Sequence, residues 1–355
     1  MRPASILSEA LRNLVTGTTR AAVLGLALFA VTAGLAIVDT RYIVGLERQA
    51  AEFVASGASV RTLVAEGMTD GESCELLTES PAIRSSGALR EADALELSAM
   101  PADPLPVYEV TPGLAALLGV AGTAAEGVWL PAPLAETLGV RPGERLDTGS
   151  GPMTVAGTYD HPDDGRDRRL GHAVLVPRIP TATFDECWAE VWPVSEAADA
   201  LVYAAADVVP DATTTITIGQ LNTAQGTDFD ATAQFAARPT RHAAAGCAAA
   251  GFALGFAAVR LRRLEIAGAL HVGVGRGALL AQTAIETGAW ALGALAMAVG
   301  ALACAAGIGN PADTAEVFAI GLRGPGAAAL TAVLGAACAL LLIREKHLFR
   351  YFKGR

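Results

Sequence analysis

The chain has 355 residues, 52% of them hydrophobic, with a mean hydropathy of +0.40 and a formal net charge of −10. That is too apolar for an ordinary soluble domain, and with lysine present only at Lys346 and Lys353 no Gly-Lys phosphate loop can be built. The charge is divided: Asp39 to His242 carries 13 Lys+Arg against 30 Asp+Glu, a balance of −17, and the remainder carries 13 against 6, a balance of +7, which together give the −10 of the whole.

In chain order, residues 1–20 come first. Within them Ile6, Leu7, Leu11, Leu14 and Val15 recur at helical spacing, with Ser8, Glu9, Arg12 and Asn13 on the other face. This predicts an amphipathic helix lying on the inner membrane surface. Residues 21–38 form an uncharged run close to the ~20 residues that cross a ~30 Å hydrocarbon core. Residues 40–56 keep the helical pattern with mixed charge and read as a stalk continuing that span. The acidic stretch 39–242 then alternates short strands and helices. Strands are expected at 58–66, near 85–90, at 127–130, 144–148, 153–159 and 172–178, and helices at 111–120 and 133–138. This stretch is read as an α+β domain. Three more apolar runs follow, at 243–259, 287–309 and 326–343, the middle one with an entry segment that extends the third span to 279–309. Residues 260–278 form the loop between the second and third spans, 310–325 the loop between the third and fourth, and 344–355 a basic tail. The fold class is therefore a membrane protein of four transmembrane helices, with an α+β extracytoplasmic domain between the first and second.

Positive residues stay on the cytoplasmic side of short loops. Arg2, Arg12 and Arg20 precede the first span. Arg260, Arg262, Arg263 and Arg276 lie between the second and third, and Arg344, Lys346, Arg350, Lys353 and Arg355 follow the fourth. All three clusters fall on one side if both termini are cytoplasmic and 39–242 lies outside a bacterial plasma membrane. The competing reading of residues 1–38 is a cleaved signal peptide, but their apolar run exceeds the usual 7–15 residues, and removing it would put the basic clusters before span three and after span four on opposite sides. Cys247, Cys304 and Cys338 fall in spans, whereas Cys74 and Cys187 fall in the outer stretch, where an oxidising compartment favours a disulfide. Two separate buried thiols are the alternative.

The stretch "ALHVGVGRGALL" (269–280) has glycines at 273, 275 and 277, but G-x-G-x-x-G spacing and a βαβ setting are both missing. No G-x-S-x-G occurs. The acids and histidines of 160–172 fail as an EF-hand, since Pro162 and Gly171 occupy ligand positions, and read as a solvated loop balanced by Arg166, Arg168 and Arg169. No catalytic, metal or cofactor residue is assigned, and no nucleic-acid partner is expected. Small residues in the later spans (Gly251, Gly255; Gly288, Gly293, Gly300; Gly326, Gly335) suit close helix packing. Glu286, one turn after Gln282, is costly if it faces lipid. It is expected to snorkel to the interface or to pair within a dimer, the alternative being a simple polar helix end.

"RLRRLEIAGALHVGVGRGALLAQTAIETGAW" resembles the segment by which FtsX-like and MacB-like ABC permeases enter their third span. Arg262, Arg263, Glu265, Ile266, Ala269, Leu270, Gly273, Arg276 and Glu286 occupy the matching places, with His271 where the family usually has glycine. "LSEALRNLV", and "VWLPAPLAETLGVRPGERLDTGSGPMTVAGTYD" followed by "VLVPR", are similar to the family's amphipathic start and outer domain, with Glu144 where an Asp is frequent. The resemblance implies a permease that works as a homo- or heterodimer on a separate cytoplasmic ATPase dimer. ATP and Mg then belong to the partner and not to this chain. The 260–278 loop would ride on the ATPase and pass its motion outward. Arg262 and Arg263 would anchor at anionic lipid or at acidic ATPase residues, and Arg276 belongs to the same ATPase-coupling set. Glu265, Ile266, Ala269 and Leu270 share one helical face, expected to meet the ATPase or, alternatively, lipid alone. Three functions follow: a permease moving a lipophilic or peptide cargo by mechanotransmission, a non-transporting regulator of an extracytoplasmic partner such as a cell-wall hydrolase, and an ATPase-free membrane sensor or anchor.

Overall fold

The computed structural model describes residues 3–98, 100–122, 126–207 and 215–344. Of the expected 344–355 tail, all but Arg344 lies outside these residues. The chain divides into two compact units, 1–49 with 231–355, and 50–230.

The first unit is helical. The helices are α1 (Pro3–Val15), α2 (Ala21–Ala55), α7 (Ala231–Ala237), α8 (Ala243–Leu261), α9 (Arg263–His271), α10 (Arg276–Gly307) and α11 (Thr314–Leu341). Four of them, α2, α8, α10 and α11, are long and apolar enough to cross a membrane. At 1.5 Å per residue α2 extends about 52 Å and α10 about 48 Å, both longer than a ~30 Å hydrocarbon core. The helix α11 begins at Thr314 rather than near Gly326, with Asp313 accepting from the Ala315 amide at 2.8 Å. The stretch "GLRGPG" reads as a break, yet Pro325 lies inside the helix. Gly321, four residues before it, packs on Thr40 of α2, where a Cβ would fall on the Thr40 hydroxyl.

Backbone-to-backbone contact joins α8 to α11. A Cβ at Gly251 would fall on the Ala328 carbonyl, at Gly255 on Ala332, and at Gly335 on Phe252. Gly251 and Gly255 are a small-xxx-small pair, the spacing that lets two helices approach closely without side chains between them. By contrast Gly288, Gly293, Gly300 and Gly326 face open space. Gly255→Val is therefore expected to overpack the interface and lower stability by about 1–3 kcal/mol, while Gly326→Ala changes it little or raises it slightly. Unfolding midpoints of the two variants in detergent give the comparison.

The second unit is an α+β domain on one ten-stranded mixed sheet. Its strands are β1 (Val60–Asp70), β2 (Ile83–Leu97), β3 (Met100–Val110), β4 (Ala121–Gly122), β5 (Val128–Pro131), β6 (Arg145–Thr148), β7 (Gly151–Tyr159), β8 (Val174–Pro177), β9 (Thr183–Val191) and β10 (Thr217–Gln220). They run in the order β10-β1-β9-β2-β3-β8-β5-β7-β4, with β6 pairing β2 and β7. The pairs β3–β8 and β5–β7 are parallel; the others are antiparallel. Short helices α3 (Gly71–Leu76), α4 (Leu114–Leu118), α5 (Ala132–Leu138) and α6 (Glu196–Tyr203) cover it. Strands β3, β4, β9 and β10 are additions to the sequence-based reading. In β3, Pro104 and Pro106 remove two amides from the same side of the strand, and β8 pairs only from Val107 onward.

The helix α3 starts on Asp70, whose carboxylate accepts from the Glu72 and Ser73 amides. That turn places Cys74 over β9, where it is bonded to Cys187 with Cα atoms 5.9 Å apart. Both cysteines lie in a buried cluster with Leu63, Ile83, Phe184 and Val202.

Candidate functional site

A buried ion cluster lies at the junction of α8, α9 and α10. Arg262 is the single residue between α8 and α9. Its Nη1 donates to Glu286 Oε2 at 2.5 Å, and its Nε and Nη2 donate to the two oxygens of Glu265 at 2.9 and 2.6 Å. Glu286, on α10, is only 3% exposed. Its other oxygen accepts from Asn13 Nδ2 of α1 at 2.7 Å and from Gln282 Nε2, one turn back, at 3.0 Å. One carboxylate therefore gathers donors from α1, from the α8–α9 turn and from its own helix. Burial alone would favour the neutral guanidine, but the hydrogen bonds to Glu265 and the charge of Glu286 outweigh it and hold the Arg262 pKa above its ordinary value.

The far end of α10 is also held. Arg41 Nη1 of α2 donates to the Ala305 and Ile308 carbonyls at 3.3 and 2.6 Å, and Arg48 Nε donates to the Gly309 carbonyl at 2.5 Å. Carbonyls in the last turn of a helix have no intrahelical donor, and cations there oppose the negative end of the helix dipole. Asp39 of the same helix pairs with Arg238 at 3.0 Å.

The structure brings Arg262, Glu265, Gln282 and Glu286 together, and adds Asn13. The expectation that Glu286 snorkels or awaits a second chain is corrected: it is satisfied inside this chain. The sequence pattern puts Asn13 on the polar face of α1 with Ser8, Glu9 and Arg12, and gives no sign of its partner 273 positions on. Burial runs opposite to the amphipathic pattern: Ala10 and Asn13 are buried, while Leu7, Leu11 and Val15 are exposed.

The α9 face expected to meet a partner is not an open one. Ile266 is 6% exposed and packs with Leu279, Ala336, Ala339, Leu340 and Ile343, with Ala269 and Leu270 partly buried against the same group. A nine-residue helix lying across the ends of α10 and α11 has to turn its apolar side onto them. What remains exposed here is Glu265, His271, Arg276 and two large apolar residues, Leu261 at 64% and Val272 at 79%. Arg263 is half-buried. Gly273, at φ 87°, ends α9, Gly275 precedes α10, and Gly277 lies in the first turn of α10. The glycine-rich stretch is a helix–turn–helix corner.

In the second unit a cleft of about 270 Å³ opens across β1, β9, β2 and β3, lined by Glu66, Arg90, Glu91, Tyr108, Arg169 and Asp185. Arg169 grips both oxygens of Glu186 at 2.6 and 3.0 Å and lies 6.0 Å from the Tyr108 ring centre. In the 160–172 loop, Asp163 pairs with Arg168 at 2.8 Å, Asp164 with Arg166 at 2.7 Å and Asp167 with Arg169 at 2.7 Å. Among the described residues no group of three or more His, Cys, Asp or Glu is placed to hold a metal ion.

Three solved structures are similar to part of the chain. The periplasmic region of MacB from Actinobacillus actinomycetemcomitans is 11% identical, with 46% of this chain and 89% of that one covered, at a TM-score of 0.34. A domain of a Porphyromonas gingivalis protein named as a permease is 13% identical over 48% and 93%, at 0.34. The extracellular domain of the noncanonic ABC-type transporter YknZ from Gram-positive bacteria is 11% identical over 46% and 100%, at 0.29. No protein-family model matches the chain, and no curated protein does. Likeness at these scores carries no functional argument.

Proposed function

We propose that the chain is the membrane-embedded permease subunit of an ABC-type system, a mechanical transmitter rather than an enzyme. The observation that carries this reading is the grip on α10 at both ends: Arg262 and Asn13 on Glu286, and Arg41 and Arg48 of α2 on the carbonyls 305, 308 and 309. A rod held by charged contacts at each end passes displacement along its length. In this reading a cytoplasmic ATPase dimer, which binds ATP and Mg itself, meets the exposed residues around α9. The motion enters at Arg262, runs along α10 to α2, and continues along that helix into the chain of the second unit. The basic residues around α9 support a reading with that end in the cytoplasm and the second unit outside. The apolar packing between the spans, built on Leu24, Leu28, Trp290, Ala294 and Ala328, supports handling a lipophilic or peptide cargo without an aqueous channel.

The contact surface in this reading is Leu261, His271, Val272 and Arg276, not the buried Ile266. The test is co-purification of the full chain from its host membrane, with ABC ATPases identified by mass spectrometry. Val272→Asp is expected to reduce recovered ATPase roughly tenfold, about 1.4 kcal/mol of binding, with an unchanged melting profile because the side chain is exposed. Equal recovery with the parent chain, or no ATPase with either, would remove the coupling reading.

A further inference from the structure

The cleft of the second unit has no part in the transmission of motion. It opens where the sheet loses its ladder. Strand β9 pairs β1 at Glu186–Val64 and again at Phe184–Thr69, so Asp185 alone stands against residues 65–68 of β1. On its other side β2 leaves β9 after Leu89. The Asp185 carboxylate takes the place of the missing partners, with Oδ1 accepting from the Gly67 amide at 2.9 Å and Oδ2 from the Glu91 amide at 3.3 Å. A bulge of this kind re-aims the side chains it carries. Here it leaves Glu66 and Glu91 exposed at the cleft, each without a hydrogen bond or ion pair of its side chain among the described residues.

The charge of the cleft is negative. The guanidiniums of Arg90 and Arg169 face four carboxylates there, those of Glu66, Glu91, Asp185 and Glu186. Both guanidiniums are engaged, Arg90 by Glu109 and Arg169 by Glu186 and Asp167, so the charge without a counter-ion is that of Glu66 and Glu91. Tyr108, directly opposite Glu91 in the β2–β3 ladder, is only 7% exposed and lines the same cleft. Its hydroxyl donates to no acceptor among the described residues, and the guanidinium beside it, Arg169, is a donor only. A nearly buried hydroxyl without an acceptor calls for one from a ligand. Among the described residues the carboxylates do not converge as a metal shell would. They line instead a cleft of about 270 Å³, below the roughly 300–1,000 Å³ of pockets that enclose whole small ligands. We propose that this cleft binds the cationic side chain of an extended peptide segment, with the cation between Glu66 and Glu91 and a peptide carbonyl accepting from the Tyr108 hydroxyl. A basic peptide residue supplies both the charge and the acceptor, and a free amine supplies only the charge. The acidic balance of the unit draws such a segment towards it.

The measurement is isothermal titration calorimetry of the full chain in detergent. The probes are a capped alanine peptide with one central lysine, the same peptide with norleucine in its place, and butylamine. The lysine peptide is expected to bind at one per chain, about tenfold tighter than the norleucine peptide, the scale of two ion pairs at a surface. Glu66→Gln and Glu91→Gln should each weaken it about threefold. Tyr108→Phe should weaken it about fivefold, the scale of one hydrogen bond, with an unchanged melting profile because the hydroxyl donates to nothing in the described chain. Glu79→Gln, exposed on the same unit and outside the cleft, should leave binding unchanged. Equal affinity for the lysine and norleucine peptides, binding of no probe, or an unchanged affinity in the Glu66→Gln, Glu91→Gln double variant overturns the proposal. An equal loss in Glu79→Gln overturns it in favour of general attraction to an acidic surface. Butylamine binding as tightly as the lysine peptide overturns it in favour of a small-amine site. The measurement requires neither an ATPase nor transport, so its outcome is independent of the transmission reading.

Discussion

Glu286→Ala is expected to lower the stability of the helical unit by about 3–5 kcal/mol, the range seen when one partner of a buried ion pair is removed. The carboxylate is 3% exposed and accepts three hydrogen bonds, so its loss leaves the Arg262 guanidinium, the Asn13 amide and the Gln282 amide without their acceptor. Arg262 retains Glu265, but that carboxylate is half-exposed and does not neutralise the buried side of the guanidinium. Glu286→Gln should lose less, because it keeps the shape and one acceptor oxygen. The double variant Arg262→Met, Glu286→Met should recover part of the loss, since replacing a buried pair by apolar residues of similar volume is often neutral; the recovery is incomplete because the Asn13 and Gln282 amides remain unmatched, at roughly 1–3 kcal/mol for a buried unsatisfied group. Denaturant titration of the chain in mixed micelles reads all three. An alanine variant within 1 kcal/mol of the parent would show that the cluster does not hold the helices together. The double variant also separates structure from transmission: if α10 carries motion from α9, a chain restored in stability but lacking the Arg262–Glu286 bond should not relay ATPase activity to the second unit.

Loss of the Cys74–Cys187 bond is expected to destabilise the second unit by about 2–5 kcal/mol. The bond closes a sequence separation of 113 residues, a long loop for which the chain-entropy account predicts the upper part of that range. It also ties α3, a helix of six residues, to the central strand β9. For a unit of this size the loss corresponds to a melting shift on the order of 10 °C. Trp129, Trp188 and Trp192 lie in this unit and Trp290 in the other, so tryptophan fluorescence of the full chain reports mainly on the transition of the second unit. Cys74→Ala with Cys187→Ala should show the shift directly. Both cysteines are fully buried, so added reductant should act only as the unit opens. A melting curve unchanged in the double alanine variant would assign the stability to the surrounding core.

The sequence makes the four spans legible because an uncharged run of this length has few other uses, and the charge division makes the outer unit legible as a separate stretch. The strand–helix–strand passage from 128 to 159 is legible because Gly139 must end a helix in the left-handed region, at φ 67°, and Gly151 opens the hairpin return at φ 122°. Pro104 and Pro106 hide β3, since the local signal cannot say that the lost amides face away from a partner. Glycines 321 and 324 with Pro325 hide the N-terminal part of α11, because these glycines pack on Thr40 and Cys247 in other helices. At the candidate site, Arg262 and Glu286 stand out as charges beside apolar runs. Their bond joins positions 24 residues apart and depends on how α8, α9 and α10 pack, and Asn13 depends on it further. The same packing turns Ile266 inward, which a helical wheel of nine residues does not reveal.

The glycine contacts between α8 and α11 also divide the bundle mechanically. Where two backbones touch, a slide or rotation of even one residue drives a Cβ into a carbonyl, so α8 and α11 form a single thick beam with no play along its seam. Ile266 seats α9 against the end of that beam through Ala336 and Ala339. By contrast α1 and α2 reach the two ends of α10 through Asn13, Arg41 and Arg48, whose rotamers can lengthen or shorten a contact by an ångström without a clash, beside the apolar contacts of Leu24 and Leu28 with Trp290. Movement in this unit is therefore expected at the polar end contacts of the α1–α2 side, with the α8–α11 beam as its support.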